Sequence, residues 1–274
     1  MNIVFRFSKI IFDKIPFAQG FLIKISRPFF DFIPKFSGWG MKTAHEVPWN
    51  DRYNWNTFRE THEYVKNNFD FSNDFIGMSK KNLDALSYRH WYIVYCTRHA
   101  IEFTKIDKYN FVECGTANGV TAYFALKEIV NEIEKPKFMM HLYDSWNAMR
   151  KSELLETERH HVGNYSELDL DRTKKNLKEF EDRLIYHVGY IPESLVSEDS
   201  PESIVYMHID LNSAKPTLAT LEFFFPRLVK GEVILFDDYG QEEYKDTKNV
   251  VDKFFSDKPG LLLKLPTSQA IYFR

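Results

Sequence analysis

The stretch YNFVECGTANGVTAYFALKEIVNEIE, residues 109 to 134, decides how the rest of the chain is read. Its first part, YNFVECG, is the short apolar and aromatic run of a strand buried on both faces. Gly115 and Gly119 punctuate the next five positions, and GVTAYFALKEIVNEIE continues as a helix with an apolar stripe and a charged tail. Glycines at such a junction let the backbone turn tightly and let a ligand approach it closely. The loop is not the dinucleotide fingerprint, because Ala117 stands at its second glycine position.

The same alternation runs outward from this unit. FMMHLYDSW reads as a second strand, and the polar stretch NAMRKSELLETERHHVGNY leads to a charged helix over SELDLDRTKKNLKEFEDR and the strand LIYHVGYI. SIVYMHIDLN is a further strand, followed by a helix over KPTLATLEFFFPRL with Pro216 in its first turn, where a missing N–H costs least. The strand GEVILFDDYG, a helix over EEYKDTKNVVDKFF and a closing pair, GLLLKLP and QAIYFR, complete the chain. Upstream, helices are expected over TFRETHEYVKNNF and NLDALSYRHWYIVYCTRHAIEF. Strands alternating with helices predict an α/β fold: a mostly parallel seven-stranded sheet, helices on both faces, and an antiparallel hairpin at the C-terminus. Residues 1–80 read as an aromatic, basic arm with a helical lid region, and residues 81–274 as the main domain.

Composition narrows the function classes. Of 274 residues, 44% are hydrophobic and 16% aromatic, enough for a sizeable core without disulfides or structural metal. Lys and Arg total 36 against 39 for Asp and Glu, a net charge of −3, so nothing global recommends a nucleic-acid partner. Two cysteines, Cys96 and Cys114, in apolar surroundings suit a reducing, cytoplasmic setting. No stretch reaches the roughly 18 to 20 uninterrupted apolar residues of a spanning helix. Residues 1–36 mix Phe and Ile with mainly basic charges, and they read either as an arm packed on the body or a second subunit, or as a segment lying on an anionic membrane surface. The first of these makes a homodimer an expectation.

In open α/β sheets ligands bind beyond the carboxyl ends of the strands. Asp144 ends the second strand, where an acid can accept from the two hydroxyls of a ribose, and Trp146 beside it either stacks on an adenine or packs in the core. Asp210 and the Asp237-Asp238 pair end two strands joined by one helix. Neighbouring strands lie ~4.8 Å apart, so such carboxylates can reach one hard cation, Mg²⁺ first. The bland alternative is a carboxylate capping the Tyr239-Gly240 turn and another in solvent.

The motifs FVECGTANG, HLYDSW, VGYIPESL, HIDLNSAKPTLATLEFFFPRL, GEVILFDDYG and LPTSQAIYF, taken together and in this order, resemble the class I S-adenosylmethionine-dependent methyltransferases, and within them the macrocin O-methyltransferase (TylF-like) family. The likeness covers roughly residues 85 to 274. It implies a Rossmann-like fold and Mg²⁺-assisted methyl transfer to a hydroxyl of a sugar or glycosylated small molecule. It also implies S-adenosylmethionine contacts from Glu113, Gly115, Thr116, Gly119, Asp144, Ser145, Trp146 and Gly189, and Mg²⁺ on Asp210, Asp237 and Asp238. Family members carry a second acid two residues beyond the first and a Tyr two further on; this chain has Asn212 and Ala214 there. A neutral Asn212 oxygen would leave a less negative, weaker metal site.

Methyl transfer to a hydroxyl needs in-line approach and a general base. Related enzymes draw a His from the polar stretch after the second strand, which nominates His161 and His160 in ERHHVGN. His208 is a rival, two residues before Asp210 on the same face of its strand. Two other readings stand beside this one: a degenerate methyltransferase fold that binds without transferring, and a methyltransferase that needs no metal.

Overall fold

The structure is a computed structural model that describes residues 55–71, 80, 83–134 and 137–274. The arm over residues 1–36, with its membrane and subunit readings, lies outside the described residues. Residues 57–274 form one compact unit.

Its sheet has seven strands: β1 (Tyr109–Cys114), β2 (Phe138–Asp144), β3 (Leu184–Val188), β4 (Ile204–Ile209), β5 (Leu228–Phe236), β6 (Leu261–Lys264) and β7 (Ala270–Phe273). They lie in the order β3-β2-β1-β4-β5-β7-β6. The first five run parallel, and β7 pairs antiparallel with both β5 and β6. This is the mostly parallel sheet with an antiparallel C-terminal pair expected from the alternation of elements, and the Rossmann-like arrangement that the resemblance implies. The parallel strands are buried because helices cover them, and all six residues of β4 are inaccessible. One core cluster joins Val112, Met207, Ile209, Leu221, Ile234 and Phe236 across strands and helix.

The helices are α1 (Asn56–Asn68), α2 (Ser87–Phe103), α3 (Val120–Glu132), α4 (Leu170–Asn176), α5 (Ala214–Phe224) and α6 (Lys245–Phe255). α2 packs on α3 and β5, with the His90 ring stacked on Phe124 at 4.6 Å. The α1 residue Phe58 closes on the same Phe124 ring at 5.4 Å. Two expected helices are shorter than their patterns. Residues 83–86 form turns ahead of α2, whose first turn has no side-chain cap. The charged segment 166–183 yields only α4 and a 3-10 helix, Lys178–Arg183, because Leu177 between them is pulled into the core at 0% exposure. Among the described residues no helix is long and apolar enough to cross a membrane.

Strand order reverses between β1 and β4, and there the chain is laced tightly. Asp210 donates its N–H to the Cys114 carbonyl at 2.8 Å, and Asp237 donates to the Ile209 carbonyl at 3.0 Å. Gly115 crosses this point at φ +92°, and a Cβ on it would lie 1.8 Å from the Asp210 carbonyl oxygen. Only glycine fits so close an approach.

Candidate functional site

Beyond the carboxyl ends of the parallel strands opens a cavity of about 560 Å³, a volume typical of small-molecule sites. Two chemically distinct walls face each other across it. One is backbone and small side chains: Gly115 and Ala117 after β1, Asp144 and Ser145 at the end of β2, and Gly189 after β3. The other is polar and acidic: Arg89 from α2, Tyr165, Asp210, Asn212, Asp238 and Tyr244.

On the first wall Asp144 ties two loops together. Its Oδ2 accepts the Ala117 N–H at 2.8 Å and its Oδ1 accepts the Trp146 N–H at 2.7 Å. Burial raises its pKa, and these backbone donors oppose the rise. Both donors sit at positive φ, 47° at Ala117 and 45° at Trp146, so the carboxylate holds strained turns in place. A third backbone N–H, that of Thr116, also acts on the carboxylate, and of its about four lone-pair sites one is left for a donor from the cavity.

On the second wall Asn212, itself at φ +56°, is the hub. Its Nδ2 donates to Asp210 Oδ1 at 2.8 Å and its backbone N–H donates to Asp238 Oδ2 at 3.1 Å. Its Oδ1 accepts the hydroxyls of Tyr165 and, at 3.0 Å, Tyr244. That oxygen is therefore turned toward two phenols. Asp238 is 5% exposed. Burial first, and then the charge of Asp210, drive its pKa well above the carboxylate range.

Arg89 stands inside the acidic cluster. Its Nε donates to Asp237 Oδ1 at 2.9 Å, its Nη2 contacts Asp237 Oδ2, and Nη2 also reaches Asp210 Oδ2 at 3.5 Å. Gln269, in the turn before β7, donates to Asp237 Oδ1 at 2.8 Å. Atoms of His208, Asp210 and Asp237 that are able to bind a metal lie within 4.8 Å of one another, with the guanidinium on the two carboxylates.

Of the residues expected from sequence, Gly115, Asp144, Ser145, Gly189, Asp210 and Asp238 are on the cavity wall, and the others are not. Glu113 is fully buried beneath it, accepting the Thr121 hydroxyl at 2.7 Å, with His208 Nδ1 3.8 Å from its other oxygen. Strand alternation turns its side chain away from the loop that follows. Thr116 is buried, and Gly119, at φ +80°, caps α3 with a Cβ position filled by Leu177. Trp146 packs at 7% exposure, its indole N–H on the Ala117 carbonyl at 3.1 Å and the Thr173 hydroxyl at 2.9 Å. Asp237 sits behind Arg89 at 2% exposure. Of the histidines, His208 is sealed in the core, His160 is exposed, and His161 is buried with its ring 5.5 Å from that of Tyr244. Burial lowers the His161 pKa. Sequence reasoning missed Arg89, Tyr165 and Tyr244. Nothing local marks them: Arg89 and Tyr165 reach the site from elements distant in the chain, and Tyr244 reaches it through the 3-10 turn Glu242–Tyr244 that follows β5.

A family profile described as a methyltransferase domain matches residues 112–239, the span from β1 through the turn after β5. Among solved structures, the O-methyltransferase NovP is 15% identical with a TM-score of 0.59, over 68% of this chain and 79% of that one. CalS11, a calicheamicin methyltransferase, is 16% identical with a TM-score of 0.57, over 84% of this chain and 94% of that one. The SAH-bound methyltransferase PaMTH1 of Podospora anserina is 11% identical with a TM-score of 0.52, covering 89% and 95%. No curated protein matches the sequence. The shared feature at these identities is the fold, the Rossmann-like fold of class I methyltransferases.

Proposed function

We propose that the chain transfers the methyl group of S-adenosylmethionine to a hydroxyl of a small molecule, with a sugar or glycosylated compound as the acceptor class. The observation that carries this reading is the cavity itself, which joins the Asp144 wall and the Asp210-Asp238 wall in one space. The domain match and the O-methyltransferase name of NovP support it.

The residues present fit the cofactor. Asp144 lines the cavity with a carboxylate that has acceptor capacity left beyond its backbone donors, and Gly115 and Gly189 leave backbone without side chains on the same wall. When bound, S-adenosylmethionine supplies a methyl group on a sulfonium centre. Asp144, with Ser145 and the backbone from Gly115 to Asn118, would hold it at the mouth of β1 and β2. The proton of the acceptor hydroxyl passes to the Asp238 carboxylate. Its raised pKa makes it, once ionised, a stronger base than a solvated carboxylate. Tyr165 and Tyr244, tied to Asn212, orient the acceptor beside it. No histidine among the described residues lines the cavity, so His160, His161 and His208 act, if at all, through the residues they touch.

The three carboxylates do not fit a divalent ion as they stand. Such an ion needs several oxygens converging at about 2.1 Å, and both oxygens of Asp237 are taken by Arg89 and Gln269. No step of the transfer is assigned to a metal.

Calorimetric titration with S-adenosylhomocysteine tests the reading, followed by turnover of tritiated S-adenosylmethionine on a panel of sugars. Binding is expected for the native chain and at least about tenfold weaker for Asp144→Ala, the loss of one hydrogen bond to a carboxylate. A native protein that fails to bind S-adenosylhomocysteine would overturn it. Binding without turnover on any hydroxyl would instead favour the non-transferring binder, which the neutral Asn212 recommends.

A further inference from the structure

The acidic cluster at the ends of β4 and β5 holds three carboxylates, and a guanidinium lies where a metal would be sought. Arg89 enters from α2, with only 14% of its side chain exposed, and engages Asp237 through a two-nitrogen fork. The fork matches a carboxylate in shape and charge, and arginine stays charged at any working pH. Its Nη2 also bridges toward Asp210. The remaining Asp210 oxygen, Oδ1, is occupied by the Asn212 amide. Of the six carboxylate oxygens, Asp238 Oδ1 has no donor among the contacts described, and Asp237 Oδ2 meets Arg89 as an ion pair without a further hydrogen bond. Gln269 adds a second donor to Asp237 and locks the side chain against turning toward the cavity. A small divalent ion could take these oxygens only by expelling the guanidinium from a nearly closed site, and two cations within one such cluster repel strongly.

We propose that Arg89 is the resident cation of this cluster, so that the site holds no divalent metal and works without one. Asp237 is then the anchor of Arg89 and no ligand, and Asp210 and Asp238 are the two acids of the cluster that line the cavity. Arg89 acts as a positioning residue: it fixes the direction of Asp210 and compensates the charge gathered at the two strand ends. Asn212 belongs to the same design, because a carboxamide there donates to Asp210, whereas an acid would add a fourth negative charge. The activity readout rests on the methyl-transfer reading, but the metal readout does not.

The test uses the full chain and Mn²⁺ as the probe, with binding followed by electron paramagnetic resonance. Native protein is expected to bind no Mn²⁺ at millimolar concentration, and its turnover is expected to be indifferent to EDTA. Arg89→Met opens the cluster, so its Mn²⁺ affinity is expected to rise by about tenfold or more, whereas Arg89→Lys, which keeps a cation in place, gains none. A merely structural role for Arg89 would not confer metal binding. Saturable Mn²⁺ binding by native protein that disappears in Asp210→Asn would overturn the proposal, whatever the activity. So would a folded Arg89→Met with no gain in affinity. Should Arg89→Met fail to fold, the native and Arg89→Lys titrations still decide. Loss of S-adenosylhomocysteine binding with the metal results intact would count against the methyl-transfer reading alone.

Discussion

Asn212 shows how much one side chain can organise. Four polar groups depend on it: the carboxylates of Asp210 and Asp238 and the hydroxyls of Tyr165 and Tyr244. An aspartate at this position has the same shape but no N–H to give Asp210, and it would face that carboxylate directly. Asn212→Asp should therefore destabilise the protein by about 2 kcal/mol at pH 7, the cost of losing a charge-assisted hydrogen bond and creating a repulsion. The added carboxyl has its folded pKa raised, so its penalty is present at high pH and fades as pH falls toward the unfolded carboxylate value. Urea denaturation at pH 7 and pH 5 measures both parts. An equal loss at the two pH values would mean that packing, not charge, governs the position.

Pairs of elements carry a second kind of pH dependence. Across β2 and β3, Tyr143 stands opposite His187 and stacks on it at 4.0 Å, while His141 Nδ1 and His187 Nε2 meet at 3.0 Å. One proton serves that contact, so at least one of the two rings must be neutral, and burial disfavours a charge on the other. Burial, followed by the charge of His187, lowers the His141 pKa to about 4, and burial lowers that of His187. For a histidine with a lowered folded pKa, the unfolded chain takes up the proton first. Stability is whole above about pH 6.5 and drains away as pH falls toward 4. His141→Gln should remove about 2 kcal/mol of the stability difference between pH 7 and pH 4.5, seen as a flatter dependence of the urea midpoint on pH. The strands behind this pair were legible because parallel strands buried on both faces are short, nearly continuous apolar runs bounded by turn residues, as over β4 and the second half of β5. Helix limits were less so. Leu177 belongs to the core, and that tertiary demand, invisible in a charged local pattern, ends α4 early. The acids of the site were legible because strand ends are where ligands bind. Arg89 was not: it lies 148 residues from Asp237, and among 36 basic residues nothing local marks the one that a helix will swing into a carboxylate cluster.

At the scale of the whole molecule, the acid limb set by histidines is matched by an alkaline limb with a different source. Glu232 sits in β5 at 0% exposure, and neither of its carboxylate oxygens has a hydrogen-bond partner among the described residues. The neighbouring Gly231 passes so close under α2 that a Cβ there would lie 2.6 Å from the Phe103 carbonyl oxygen, which leaves little room to relieve the strand locally. Burial raises the Glu232 pKa to about 7, and the pull of its own backbone N–H, followed by the charge of Arg274, draws it only part of the way back. A carboxyl with a raised folded pKa contributes its full stability below the unfolded value of about 4.5 and loses it as pH rises through 7. Folding is thus opposed from both directions, by histidines that resist protonation in acid and by a carboxyl that resists ionisation in base. Glu232→Gln removes the second effect while keeping the side chain's shape. Its urea midpoint should match that of the native chain near pH 5 and exceed it at pH 8 by the equivalent of about 2 kcal/mol. If the variant instead proves less stable at both pH values by the same amount, the ionised carboxylate has a partner that the amide cannot replace, and the alkaline limb must arise elsewhere.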